Sequence, residues 1–438
     1  MRTHTFESAL AAAVAVVQEA EGFSDVAKVL LVRDLRGRIR LVWEPSAGAS
    51  GPAVQEVEAT CRRELGGWFL GPILVASNAG GAEAAGVARS ILSFPEVRPF
   101  PVTELQDPRT STPLTVARSW RFLSRRLTKE SWLSGTPTAP PWPLARNAPS
   151  IVSFHSFKGG VGRSTALSIV AVQLSRLGKR VLCIDLDLES PGLDRVFDVD
   201  ADRGILDSLL EAAVLGEAEL DDVVRTATVR KCRIDVVPAG YVDTTYIEKL
   251  GRLDYLGAAE GGVSVEAGLR RILLQLRRHR PDFVLIDNRS GLSDLAGISL
   301  AALAHVDVLV ARGNGQGEMG LSITLPLMAA RRAPQDRRFV LVHSMAPTPL
   351  DGPASISEQE RLRVAAWRAY AGTVPESSDV AAVGDSTGAH YPIVLPELDE
   401  VKRAEAVTRL EDSTLRSERY ALLTERIIAL CTPEEEEE

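Results

Sequence analysis

Eight consecutive residues, Lys158-Gly159-Gly160-Val161-Gly162-Arg163-Ser164-Thr165, combine two cations, three glycines and two hydroxyls just after the apolar run Ile151–Ser156. Glycines let a backbone fold tightly with its N–H groups turned inward. A helix starting there would add partial positive charge and free donors. The chemistry implied is a cradle for phosphates. A plain glycine turn between strand and helix would need neither Lys158 nor the Ser164-Thr165 pair. Downstream, the apolar run VLCIDLD carries Asp185 and Asp187, and PDFVLID ends in Asp287. Carboxylates at strand ends can hold a cation or orient a water beside phosphates, or they can simply cap the turn that follows.

These residues need a frame. From Ile151 onward, apolar runs alternate with helical patterns, which implies a parallel sheet covered by helices on both faces. The expected strands are Ile151–Ser156, Arg180–Asp185, Ile234–Pro238, Phe283–Asp287, Val306–Ala311 and Phe339–His343. Helices are expected near 204–215, 219–226, 264–279, 356–371 and 416–430, with Ser355 and Glu358 as a capping box for the fourth. Residues 346–389 read as an insertion. The fold class predicted is α/β: a mainly parallel sheet flanked by helices, preceded by a smaller mixed α/β domain.

The loop resembles the deviant Walker A sequence K-G-G-x-G-[KR]-[ST]-[ST] of MinD/ParA-like P-loop ATPases, in its KGGVGR-loop subgroup. The likeness extends over roughly residues 150–430, with specific motifs in the first half. It implies ATP and Mg²⁺ as ligands. Lys158 would touch nucleotide held by a partner subunit, which makes an ATP-sandwich homodimer. Gly159, Gly160, Val161, Gly162 and Thr165 would hold phosphates, and Ser164 and Asp287 would serve Mg²⁺. Asp185 would lie near the Mg²⁺ shell, Asp187 would orient the attacking water, and Gly291 would let a switch segment move. Val236–Gly240 and His390–Pro396 resemble the family's P-x-G strand end and adenine-side loop. The family's base-side asparagine is missing; His343 and Ser344 are the polar candidates there. Arg163 stands where a lysine normally reaches the β- and γ-phosphates. A planar guanidinium keeps the charge but cannot place it at the same point, so hydrolysis is expected to slow or stop. Two functions follow: an ATP-dependent dimerisation switch that engages a partner, in a regulatory or conflict system, or a scaffold that binds nucleotide without turnover.

The rest of the chain sets limits. Its 438 residues, 45% hydrophobic and 25% charged, suit two or three globular domains. The proline-rich run Gly135–Ser150 reads as a linker. It separates residues 1–134 from a P-loop domain over 151–432 and an acidic tail over 433–438. In the N-terminal part, helices are expected near 6–20 and 53–65, and two strands around Arg36-Gly37. A short strand in GPILVAS and a basic amphipathic helix over Val116–Leu133 complete it. That helix would place Trp120, Leu123, Leu127 and Trp132 toward a core and Arg118, Arg121, Arg125 and Arg126 toward water.

The net charge is −8, with no strong basic excess in either part. DNA contact through Arg270-Arg271, Arg277-Arg278-Arg280, Arg331-Arg332 and Arg337-Arg338 is therefore the less favoured reading. The glutamate run Glu434–Glu438 disfavours a membrane anchor beside the last helix. Cys61, Cys183, Cys232 and Cys431 are scattered, which argues against a zinc ribbon, a disulfide framework and an iron–sulfur role and points to a reducing cytoplasm. His155, His305 and His343 are expected to be structural.

Overall fold

The computed structural model describes the chain except for residues 1–3, 7, 22, 24–25, 35, 47–53, 78–81, 95–96, 115–118, 125–129, 134–137, 216–217, 219, 254–263, 334–335, 375–379 and 434–438. It divides into two compact units, Met1–Leu127 and Thr128–Glu438. Arg118, Arg125, Arg126, Leu127, Gly135 and Glu434–Glu438 lie outside the described residues.

In the first unit, β1 (Val26–Arg33) and β2 (Ile39–Pro45) form an antiparallel hairpin. Asp34 Oδ1 accepts the backbone N–H groups of Arg36 and Arg38, and Gly37 takes φ +83°, which an L side chain adopts rarely. With β3 (Leu74–Val75), β4 (Arg98–Pro99) and β5 (Ser119–Ser124), they make a five-stranded sheet ordered β3-β2-β1-β5-β4. The Ser8–Gln18 helix buries every residue from Ala9 to Val17. Its small side chains allow close packing on one sheet face, alongside Val29, Leu31, Trp43 and Trp120. Leu30, Val42 and Leu123 belong to a second cluster with Ala88 of the Ala82–Leu92 helix.

The expected basic helix over Val116–Leu133 is overturned. Residues 119–124 are strand β5, parallel to β1 through pairs such as Leu30↔Arg121, and only Glu130–Leu133 is helical. Trp120 and Leu123 enter different clusters because they project to opposite sheet faces. Their three-residue spacing imitates a helix only while the sheet is unseen.

The second unit carries β6 (Ser150–His155), β7 (Val181–Leu186), β8 (Arg225–Val229), β9 (Cys232–Val237), β10 (Phe283–Asn288), β11 (Val306–Ala311), β12 (Phe339–Ala346) and β13 (Ile393–Pro396). Their order is β13-β12-β11-β6-β10-β7-β9-β8, parallel except for the edge hairpin β8–β9. β6, β7, β10 and β11 are buried along their whole length. Alternate residues feed opposite cores: Phe283 and Leu285 pack with the Arg163–Arg176 and Glu418–Cys431 helices, and Val284 and Ile286 with the Ile205–Leu215 and Val265–Leu276 helices. This double burial explains the unbroken apolar runs.

Three local expectations fail. Residues near 219–226 give a turn followed by β8 rather than a helix, because Ala227 and Val229 pair across to β9. The Pro353–Ala371 helix starts at Gly352, so Ser355 is already inside it and accepts a hydrogen bond from Gln359 instead of capping. The proline-rich stretch is tied to the second unit. The Thr138 N–H donates to the Arg331 carbonyl, and Trp142 is buried. His305 completes that attachment: its Nδ1 accepts the Ile151 N–H at 2.9 Å, and its Nε2 meets the Trp142 carbonyl at 2.9 Å. No helix among the described residues is long and apolar enough to cross a membrane.

Candidate nucleotide site

β6 runs straight into the loop, and Gly162 ends it as the N-cap of the Arg163–Arg176 helix with φ +80°. Gly160 also has φ +70°, and a Cβ built on it would meet nothing within 4 Å. The loop therefore leaves open space beside Gly160 and leads directly into a helix N-terminus, an arrangement that suits an anion. Lys158 is exposed, and Ser164 and Thr165 are half-buried in the first helical turn.

β10 lies between β6 and β7, so Asp287 stands level with Phe154 on one side and Asp185 on the other. That register brings the loop to the carboxylates. Arg163 Nε donates to Asp287 Oδ1 at 2.5 Å, and its Nη2 donates to Asp187 Oδ2 at 2.8 Å. Ser164 Oγ donates to Asp287 Oδ2 at 2.5 Å. The guanidinium thus bridges two buried carboxylates.

Asp185 does different work. Its Oδ1 accepts the Asp187 N–H at 3.0 Å, and its Oδ2 accepts those of Gly192 and Leu193 at 3.0 and 2.9 Å. Both oxygens are spent on the turn after β7. Burial, aided by the neighbouring charge of Asp287, pushes this carboxyl up to about 7 against those three donors. Burial also raises Asp287, with Arg163 and Ser164 opposing. The opposed effects on Arg163, burial against two carboxylates, resolve upward, so it stays charged.

Asp187 Oδ1 is buried and has no hydrogen-bond partner. The flanking loops are joined by an ion pair between Arg289 and Glu189. Behind the loop, His155 is buried and neutral, with burial first and then the charge of Arg163 pushing it down to about 3. The Trp132 ring lies tilted at 5.9 Å from that of His155, and its Nε1 donates to the Ser293 carbonyl at 2.6 Å, which braces the segment after β10. No spacing signal in the sequence reveals this Trp132 contact or the Arg163 bridge.

The residues fit a magnesium–nucleotide complex only in part. Magnesium needs few protein ligands beside phosphates and water, and Ser164 with Asp287 supplies such a pair. No group of three or more His, Cys, Asp or Glu that could hold a metal occurs among the described residues. On the base side, Ser344 Oγ donates to the Ala311 carbonyl, and His343 is buried, held neutral by burial and by Arg312. Both are turned into the protein. His390 is buried too, while Ile393–Pro396 forms the edge strand β13.

Residues 149–320 match the family model described as an AAA domain. An uncharacterized ATP-binding protein of Methanocaldococcus jannaschii is 35% identical over 74 residues, 17% of this chain and 27% of that protein. An iron–sulfur cluster carrier protein of Clostridium perfringens is 37% identical over 57 residues, 13% of this chain and 20% of that protein. The chain thus spans 27% and 20% of the length of these two relatives. Among solved structures, the septum site-determining protein MinD of Pyrococcus horikoshii OT3, complexed with Mg-ADP, aligns at 18% identity with a TM-score of 0.41. That alignment covers 65% of this chain and 95% of the other.

Proposed function

We propose that the MinD/ParA-like P-loop domain carried by this chain works as an ATP- and Mg²⁺-dependent dimerisation switch that engages a protein partner. The observation that carries this reading is the direct connection of the loop to both acidic strand ends through Arg163 and Ser164. Phosphates at the loop meet the amides of Gly159–Gly162 and the N-terminus of the Arg163–Arg176 helix. Ser164 and Asp287 would hold magnesium, which neutralises charge on the transferring phosphate when bound with ATP. Asp187 Oδ1 is the unpaired acceptor that would orient a water. Asp185 acts as a brace for the turn carrying Asp187. Lys158 is exposed, so a second copy could present its nucleotide to it.

Arg163 gives the site two settings. Turned down, it neutralises Asp187 and Asp287; turned toward phosphate, it releases both. Hydrolysis requires the second setting, and partner contact would follow from the dimer. The first setting favours a second reading, a scaffold that binds nucleotide without turnover. Light scattering with and without Mg-ATP, combined with phosphate release, tests both readings. Dimerisation with turnover supports the switch, dimerisation alone supports the scaffold, and no ATP binding overturns both.

A further inference from the structure

The segment that follows β10, residues 289–293, touches both halves of the nucleotide site yet has little core of its own. Arg289 pairs with Glu189 in the turn after β7. Ser290 Oγ stands 3.4 Å from where a Cβ on Gly159 would lie, and the Gly291 N–H donates to the Ser156 carbonyl at 2.9 Å. All of these residues are half-buried, and Leu292 is their one hydrophobic side chain. A stretch with so few apolar contacts opens easily unless something else holds it.

Trp132 supplies the hold. It is buried on the short helix Glu130–Leu133, which packs on the Asp294–Ile298 helix. It shares a hydrophobic cluster with Ala296 and Leu300, against which Leu292 also packs. Its indole N–H meets the Ser293 carbonyl at 2.6 Å, and its ring neighbours that of His155, the last residue of β6. Ser293 in turn caps the Asp294–Ile298 helix, its Oγ accepting the Ala296 N–H at 3.2 Å. One side chain thus ties the far end of the segment to the strand that enters the loop. Trp132 lies outside residues 149–320, so the likeness to the family model does not reach it.

We propose that Trp132 is a positioning residue for the nucleotide site. It pins residues 289–293 at the Ser293 end, so that nucleotide at the loop acts on the Ser290–Gly291 end against a fixed pivot. Gly159 and Ser156 are the loop-side neighbours through which a bound phosphate reaches that end. Without the indole bond the segment opens as a whole, and bound nucleotide orders it less. The proposal rests on the nucleotide reading of the loop, but the pin itself can be measured in the ligand-free chain.

Trp132→Phe keeps a ring beside His155 and removes the donor. Amide hydrogen exchange read by mass spectrometry on the full chain tests it. Without nucleotide, exchange over residues 289–296 should rise about three- to tenfold, the effect of losing one buried hydrogen bond, while β7 and β11 stay unchanged. Mg-ATP should slow exchange in this segment of the unaltered chain. Trp132→Phe should lose at least about half of that protection while its ATP affinity stays within about threefold, because the loop amides are untouched. Segment exchange that does not change would overturn the proposal. An equal rise in every strand would also overturn it, leaving Trp132 as part of the core alone. Failure of the unaltered chain to bind ATP is a separate result, which overturns the nucleotide reading and the positioning role with it. If Trp132→Phe does not fold, Trp132→Tyr takes its place with the same expectations.

Discussion

Arg163 Nε and Asp287 Oδ1 lie 2.5 Å apart with both side chains buried, and the same guanidinium reaches Asp187. Removing the cation leaves two buried carboxylates without their shared partner. Arg163→Met should destabilise the chain by about 3–5 kcal/mol near pH 8. Asp287 is already raised by burial, so the folded state holds its proton more tightly than the unfolded state does. Stability from such a group is present at low pH and is lost as pH rises past the ordinary carboxylate range. The loss in Arg163→Met should therefore shrink toward pH 5. Urea unfolding at several pH values measures it, and a pH-independent difference would contradict the pairing.

Arg163→Lys keeps one charge but lacks the fork that spans Asp187 and Asp287 at once. With the carboxylates less firmly held, Mg-dependent ATP hydrolysis should rise at least about tenfold over the unaltered chain. Phosphate release under single-turnover conditions separates this from tighter binding. An unchanged rate would mean that Arg163 is not what restrains turnover.

Lys158 is exposed, and its truncation removes no buried contact. Lys158→Ala should leave unfolding free energy within about 0.5 kcal/mol of the unaltered chain. It should nevertheless abolish any mass increase with Mg-ATP in light scattering. A dimer that survives the substitution would place the subunit contact elsewhere.

His305 should make the second unit sensitive to acid. Its Nδ1 accepts the Ile151 N–H, so an added proton there would point at another donor. Burial holds its pKa down to about 4 against an ordinary 6.5, and the Trp142 carbonyl opposes this in part. The unfolded state then binds more protons between those values, and stability must fall as pH drops through that window, by up to about 3 kcal/mol. His155 and His343 are lowered as well and act in the same direction. In urea titrations between pH 7 and 4.5, His305→Asn should flatten the slope by about one proton; an unchanged slope would assign the acid loss to other groups.

The loop was legible because its function needs local backbone geometry, which glycines and a helix start write directly into neighbouring residues. The six central strands were legible for a related reason: burial on both faces leaves little room for polar side chains. Arg163's destination was not legible, since it depends on β10 being placed next to β7 by the whole sheet. Asp185 and Asp187 look equivalent in D-x-D, yet the chain path after β7 aims three N–H groups at one and leaves an oxygen of the other unpaired. β5 was misread because Trp120 and Leu123 satisfy helical spacing while serving two faces of a strand. β8 is short and half-exposed, and its pairing with β9 rather than its own pattern makes it a strand.

The His305 bridge between Trp142 and Ile151 also bears on where the second unit can be cut. A fragment starting at the first strand would look complete by its sheet, yet it would strand a buried imidazole nitrogen without its carbonyl and uncover the core beneath Trp142. A boundary near Thr128 keeps both, together with the Trp132 contact to His155, so the unit that folds begins well upstream of its first strand.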